Sequence, residues 1–102
     1  MTYPAIDNLP AVHPGEILRD ELEALGLSAR KFAAHIEVRP NTVTAILNGE
    51  GGVSAEMALR LARAFGTSEQ YWLNLQNLYA TKRARATTNV ESISRLVVEA
   101  AD

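Results

Sequence analysis

Hydrophobic residues recur at steps of three and four positions along most of this chain, the spacing that places them on one face of an α-helix. The first run consists of four aliphatic side chains, Ile17, Leu18, Leu22 and Leu25. It follows Pro14, which a first helical turn tolerates, and it stops at Gly26, a common residue just beyond a helix end. The pattern predicts a first helix with one buried stripe.

Two short helices are expected next, separated by a tight turn. Ser28 is a good N-cap for a second helix that runs from Ala29 to about His35. A third helix is expected from Pro40, again a first-turn proline, to the Asn48-Gly49 pair.

The pattern predicts two more helices before it lapses. A fourth helix begins after the cap Ser54 and ends at Gly66. A fifth begins at Thr67 or Ser68, since both are good caps, and Thr67 has capping-box spacing to Gln70. This fifth helix ends in a basic run, Lys82-Arg83-Ala84-Arg85.

These elements predict an all-α chain of five helices. We expect an extended N-terminal arm over 1–13, a helical domain over 14–83 and a weakly structured tail over 84–102. Within the tail, Val90 to Ala100 forms either a weak last helix or no regular structure. Neither a pair of strands nor an internal repeat is indicated.

Length and composition restrict the classes of function. A chain of 102 residues holds one domain and has no room for a separate catalytic module. The absence of cysteine excludes disulfides, thiolate metal sites and cysteine nucleophiles. No span-length apolar stretch or signal peptide is indicated, so we expect a cytoplasmic protein.

Charge is distributed unevenly along the chain, although the net value is only -2. Residues 28–86 carry eight Lys or Arg against four acids, a balance of +4, whereas the flanks carry eight acids against two bases, a balance of -6. A basic central region is compatible with a nucleic-acid partner, because phosphate neutralisation supplies most of the non-specific affinity for DNA.

Residues 28–49 have the spacing of a helix-turn-helix. Two short helices that cross steeply need a small residue where their backbones meet, and Ala33 provides it. Five apolar side chains are predicted to close a common core around it: Phe32, Ile36, Val38, Val43 and Ile46.

The other side of the third helix is short and polar, as a helix that enters the major groove requires. Asn41 can pair with adenine, Thr42 and Thr44 can contact base edges or a thymine methyl, and Arg39 suits a phosphate or a guanine. We expect the surrounding phosphates to contact Ser28, Arg30, Lys31 and Asn48.

The run from His13 to about Arg83 resembles the HigA-type antitoxins, Xre-like, phage-repressor-like helix-turn-helix proteins of bacterial type II toxin-antitoxin operons. Four segments carry the resemblance: H-P-G-E-I-L at 13–18, I-L-N-G at 46–49, V-S-A-E-M-A-L-R-L-A at 53–62 and Y-W-L-N-L-Q at 71–76. Their order and spacing make the match far more specific than a lone helix-turn-helix.

The resemblance implies an antitoxin that neutralises a HigB-type, RelE-related mRNA-cleaving toxin and represses its own operon as a homodimer on an inverted repeat of double-stranded DNA. It places the base-reading positions on Pro40, Asn41, Thr42, Thr44 and Ala45.

Two residues depart from the pattern. Glu37 stands where the turn often has glycine, which implies a positive φ or a different turn, and Pro40 removes one polar base contact.

The fifth helix also offers a surface for dimerisation, since a chain this small can hardly bury all its aromatic side chains alone. Its candidate interface residues are Tyr71, Trp72, Leu75, Leu78 and Tyr79. The alternative interpretation is that they are ordinary core residues.

Other functions remain open at this point. A stand-alone repressor without a toxin shares the same DNA-reading face, and an interaction module that lost DNA affinity would agree with the acidic net charge and Pro40. An enzyme is disfavoured, because no catalytic triad or phosphate-binding loop is indicated. The two histidines, His13 and His35, are isolated, so we predict neither a metal site nor a cofactor.

Overall fold

The computed structural model describes residues 12–97, which form five α-helices and no strand. In chain order the helices are Pro14–Leu25 (α1), Ala29–Ile36 (α2), Pro40–Leu47 (α3), Ala55–Phe65 (α4) and Glu69–Thr87 (α5). The predicted all-α, five-helix architecture is confirmed. Among these described residues, no helix combines the length and apolar character needed to cross a bilayer.

The ends of the chain compare with the predicted boundaries as follows. α5 continues to Thr87, beyond the expected domain end at residue 83. Residues 88–97 contain turns and bends but no helix, so the optional last helix is absent from this part. Most of the expected arm, residues 1–11, and the final residues 98–102 lie outside the described residues.

Three serines begin helices by accepting a backbone N–H with the side-chain oxygen. Ser28, Ser54 and Ser68 cap α2, α4 and α5, each with an N–O distance of 3.1 Å. Each of these bonds satisfies an N–H that otherwise has no partner in the first turn, a contribution of about 1 kcal/mol.

The predicted capping box between Thr67 and Gln70 is wrong. The Thr67 hydroxyl accepts a hydrogen bond from the indole N–H of Trp72 at 2.9 Å, and the Gln70 amide donates to Asn74. The structure selects Ser68 as the cap because the Thr67 side chain is already engaged by the core.

The core lies between all five helices and is entirely apolar. Its buried members are Leu18, Leu22, Phe32, Ala33, Ile36, Val43, Ile46, Val53, Met57, Ala58, Leu61, Ala62 and Trp72. Phe65 connects the aromatic residues, with ring centroids 5.3 Å from Phe32 and 5.8 Å from Trp72. Burial of these rings supplies much of the hydrophobic driving force, at about 25 cal/mol per Å² of apolar area.

The placement of Trp72 corrects one expectation. Its side chain is only 1 % exposed, and its one polar group is satisfied by Thr67. The indole fills the interior of the monomer because it lies between α5 and Phe65 of α4. Trp72 therefore has no surface to offer a second subunit, and its assignment to a dimer interface is wrong.

α1 contacts the C-terminal end of α3 more closely than any side chain beyond glycine would permit. A Cβ atom on Gly15 would overlap the carbonyl oxygen of Ile46. One turn further along α1, the Arg19 guanidinium donates to the carbonyl oxygen of Leu47 at 3.0 Å. α1 therefore supports the last turn of α3.

A second tie holds the loop between α3 and α4. The side-chain carbonyl of Gln76 on α5 accepts from the backbone N–H of Val53 at 2.7 Å. The loop thus has a defined path from the end of α3 into the core, where Val53 is buried.

Candidate DNA-binding interface

The turn between α2 and α3 fixes the angle at which α3 is presented. Glu37 is the C-cap of α2 and has φ 65°. The next N–H, that of Val38, donates to the carbonyl oxygen of Ala33 at 2.9 Å. This is a left-handed cap of the kind that glycine usually forms. Of the two geometries expected at Glu37, the structure has the positive φ.

Replacing Glu37 with glycine is expected to raise the free energy of unfolding by about 0.5 to 1 kcal/mol, because glycine adopts a positive φ without the clash of a Cβ. Urea denaturation measures the change. Glu37→Gln is the matched control, since it removes the charge and keeps the strain. Equal stability of the glycine and glutamine variants would contradict the prediction.

Arg60 on α4 stabilises this turn through hydrogen bonds to its backbone, a role that the sequence did not reveal. Its guanidinium donates to the carbonyl oxygens of Ile36 at 2.7 Å and Glu37 at 3.3 Å. Its remaining N–H groups bond the carboxylate of Glu56 at 2.9 and 3.2 Å. In the sequence, the four-residue spacing of Glu56 and Arg60 indicates only an ion pair within one helix. The hydrogen bonds from Arg60 to the turn could be recognised only in the three-dimensional structure.

Residues of α3 divide into two faces. Val43 and Ile46 point into the core, and Leu47 is half-buried. The predicted base-reading residues lie on or beside the other face. Among them Arg39, Pro40, Asn41 and Thr44 are exposed, and Thr42 and Ala45 are half-buried. The structure therefore brings the six residues together on one helix and its N-cap.

Individual side chains on this face differ in what they can offer a base pair. Arg39 is the N-cap residue of α3, and its side chain, which has only hydrogen-bond donors, is exposed. The Thr44 hydroxyl donates to the carbonyl oxygen of Pro40 at 2.6 Å. Thr44 consequently presents its methyl group and an acceptor, which suits contact with a thymine methyl. Asn41 has the only carboxamide among the six.

The predicted phosphate-contacting residues lie at the ends of α2 and α3. Arg30 and Lys31 are exposed in the first turn of α2, where the helix dipole is positive. Ser28 accepts the Lys31 N–H as the cap, while its own O–H stays available as a donor. Asn48 is exposed at the C-cap of α3. The three donors around the start of α2 thus lie together at the end of a helix where a backbone phosphate could bind.

The candidate dimer surface on α5 is smaller than expected. Tyr71 and Leu78 are 42 % and 57 % exposed, and Leu75 between them is half-buried. Their spacing of four and three residues places them on one face. Tyr79 is half-buried, packs edge-on against the ring of His13 at 4.8 Å and accepts a hydrogen bond from Arg83. Tyr79 thus serves mainly within the monomer.

Comparison with known proteins places these features in a family. The helix-turn-helix family HTH_3 matches residues 18–72, more than half of the chain. The solved HigA-family antidote protein from Coxiella burnetii is 42 % identical to this chain, with a TM-score of 0.80. The match covers 87 % of this chain and 100 % of that protein.

Two further relatives have the same character. The solved Pseudomonas aeruginosa antitoxin HigA with the higBA promoter is 40 % identical to this chain, with a TM-score of 0.81. The match covers 86 % of this chain and 100 % of that protein. Antitoxin HigA-1 from Vibrio cholerae is 39 % identical over 67 residues, which are 65 % of this chain and 63 % of that protein. This chain therefore belongs to the helix-turn-helix family, in the group that includes the HigA-type antitoxins.

Proposed function

We propose that this protein is a DNA-binding antitoxin: it represses its own operon by binding an inverted repeat as a homodimer, and it neutralises an mRNA-cleaving toxin of the HigB type. The observation that carries the DNA-binding part is the exposed polar face of α3. Arg60 braces the turn that precedes this helix, and Gly15 and Arg19 contact its last turn. The solved HigA relative with its promoter supports the same assignment.

The residues of the interface have two different roles in this proposal. Arg39, Asn41 and Thr44 read base edges in the major groove, with Pro40, Thr42 and Ala45 in contact beside them. Ser28, Arg30, Lys31 and Asn48 contact phosphates and set the register of the protein on the duplex. Specificity then depends on α3, whereas salt-dependent affinity depends on the first turn of α2.

Two-fold recognition requires a dimer, and the exposed apolar face of α5 is our proposal for its interface. Tyr71, Leu75 and Leu78 form this face. A two-fold axis through it would pair the same residues of each subunit, as an isologous interface does. The dimer would then place two copies of α3 in successive major grooves, about 34 Å apart.

Leu78→Asp is expected to weaken the dimer at least tenfold, because it places two like charges near the two-fold axis and removes apolar contact. Sedimentation equilibrium measures the change. Ala80→Asp adds the same charge at an exposed position on another side of α5 and is expected to leave the dimer intact. If the two variants dimerise alike, the interface lies elsewhere.

The toxin partner is supported by the antitoxin relatives. Three solved relatives are a HigA-family antidote protein, the antitoxin GraA and an antitoxin HigA, at 40 to 42 % identity over 86 to 87 % of this chain. We therefore expect the toxin to be encoded by a reading frame next to the gene of this protein. Because the proposed repressor acts on the DNA of its own operon, we also propose that it works in the cytoplasm.

Co-expression tests the whole proposal. The tagged chain is produced together with its neighbouring reading frames, purified, and then mixed with DNA from upstream of its own gene. A small basic partner that co-purifies and is inhibited, together with a sequence-specific mobility shift, is the expected result. A shift without a partner would leave a plain repressor, and a partner without a shift would leave an interaction module.

A further inference from the structure

The direction of α3 relative to α2 is set at Glu37, the residue with positive φ in the turn between them. Two peptide planes meet at its Cα atom. One plane contains the carbonyl of Ile36, and the other contains the carbonyl of Glu37 itself. Because peptide planes are rigid, φ and ψ of Glu37 alone fix the angle between them. A rotation there changes the direction in which the chain leaves α2, and with it the direction of α3.

Backbone bonds hold each of these planes from the side of α2. The N–H of Glu37 donates to the carbonyl oxygen of Ala34 at 3.3 Å, which is long for a bond of this kind. The N–H of Val38 donates to the carbonyl oxygen of Ala33 at 2.9 Å. Both acceptors belong to α2, so these bonds do not tie the turn to any other helix.

Arg60 holds the other side of both planes from α4. Its Nη1 donates to the Ile36 carbonyl at 2.7 Å and to the Glu37 carbonyl at 3.3 Å. Its Nε and Nη2 both donate to one carboxylate oxygen of Glu56, which orients the guanidinium. All three nitrogens are engaged, and the side chain is only 31 % exposed. These bonds commit Arg60 to the turn rather than to a DNA phosphate.

The chain between Glu37 and the reading face has little freedom of its own. Val38 packs against the core, and Pro40 has its φ fixed by its ring in the first turn of α3. The exposed Asn41 follows directly. A change in φ or ψ at Glu37 therefore displaces Asn41, and a recognition contact tolerates a displacement of only about 0.5 Å.

We infer that Arg60 is a positioning residue for sequence reading: by fixing φ and ψ of Glu37 it sets the angle at which α3 enters the major groove, with Glu56 orienting its guanidinium. This inference rests on the proposed DNA-binding function. It assigns to Arg60 an effect on specificity, because base contacts depend on the angle of α3, whereas phosphate contacts from the first turn of α2 do not.

The test compares full-length Arg60→Gln and Arg60→Lys with the wild type, on the upstream fragment and on a scrambled fragment of equal length. Lysine keeps the charge but lacks the planar fork that bonds two carbonyls and a carboxylate together. Arg63→Gln is the matched control, since it removes the same charge at an exposed position of the same helix. Urea denaturation establishes which variants are folded under the assay conditions, and Glu56→Gln replaces an Arg60 variant that is not.

For both Arg60 variants we expect the dissociation constant on the upstream fragment to rise about tenfold, and that on the scrambled fragment to change by less than about twofold. Arg63→Gln should leave the ratio of the two constants at the wild-type value. Asn41→Ala should weaken binding to the upstream fragment by a smaller factor in the Arg60→Gln background than in the wild type, because a displaced Asn41 has already lost its base contact.

A wild-type ratio in both Arg60 variants would overturn the inference, as would an equal loss of affinity on the two fragments. Full additivity of Asn41→Ala and Arg60→Gln would also overturn it, since a residue that only stabilises the fold leaves the contribution of Asn41 unchanged. If the wild type itself binds the two fragments alike, the proposed function has failed, and this inference falls with it.

Discussion

Gly15→Ala is expected to lower the free energy of unfolding by about 2 to 3 kcal/mol and to abolish specific DNA binding at concentrations where the wild type is saturated. The added methyl group would overlap the carbonyl oxygen of Ile46, which belongs to the backbone and cannot turn aside. α1 and α3 must then separate, and the Arg19 bond to Leu47 is lost with them. Urea denaturation and a mobility shift measure the two effects.

Gly51→Ala is the matched control for this change. A Cβ at Gly51 would lie 3.4 Å from the Cβ of Ala45, an ordinary contact distance. We therefore expect its stability to stay within about 0.5 kcal/mol of the wild type. If Gly15→Ala were as stable as Gly51→Ala, the close contact between α1 and α3 would be refuted.

Asn41→Ala is expected to reduce affinity for the cognate site by about 1 to 3 kcal/mol, and to leave binding to unrelated DNA nearly unchanged. The reason is that Asn41 is exposed on the reading face of α3 and carries its only carboxamide, the group that pairs with adenine. Fluorescence anisotropy on cognate and scrambled duplexes gives both constants.

Lys31→Ala is the comparison for Asn41→Ala. Lys31 is exposed in the first turn of α2, so its loss should weaken binding to all sequences alike and reduce the salt slope by about 1. The reverse pattern, with Lys31 selective and Asn41 general, would exchange the roles of α2 and α3 in recognition.

The helices could be predicted from the chain because their signals are local. Apolar spacing, first-turn prolines and serine caps lie within a few residues of the elements they define, and four of the five helix starts followed from them directly. The start of α5 was ambiguous, since Thr67 and Ser68 are both good caps. Only the position of the Trp72 indole decides between them.

The supports of the recognition helix could not be predicted, because they join distant parts of the chain. Arg60 reaches Ile36 across 24 residues, and Arg19 reaches Leu47 across 28. Neither residue differs in the sequence from an ordinary surface arginine. The same holds for His13, which the sequence shows only as an isolated histidine, whereas the structure buries it against Tyr79.

The candidate dimer surface on α5 is narrower in the structure than the sequence indicated, for a related reason. Aromatic residues in a small protein suggest an interface, but three rings, those of Phe32, Phe65 and Trp72, pack together in this monomer. The apolar side chains of α5 that remain outside the core are Tyr71 and Leu78, which are exposed, and Leu75 between them, which is half-buried. The choice depends on how much volume five short helices enclose, which periodicity alone does not specify.

Sequence-specific DNA binding is tested most directly by equilibrium titration of the wild-type protein with its own upstream fragment and with a scrambled fragment of equal length, at several salt concentrations. We expect the upstream fragment to bind at least about 10³-fold more tightly, with an affinity for both fragments that falls as salt rises. Equal affinity for the two fragments at every salt concentration, or no binding to either, would contradict the assignment of α3 as a reading helix.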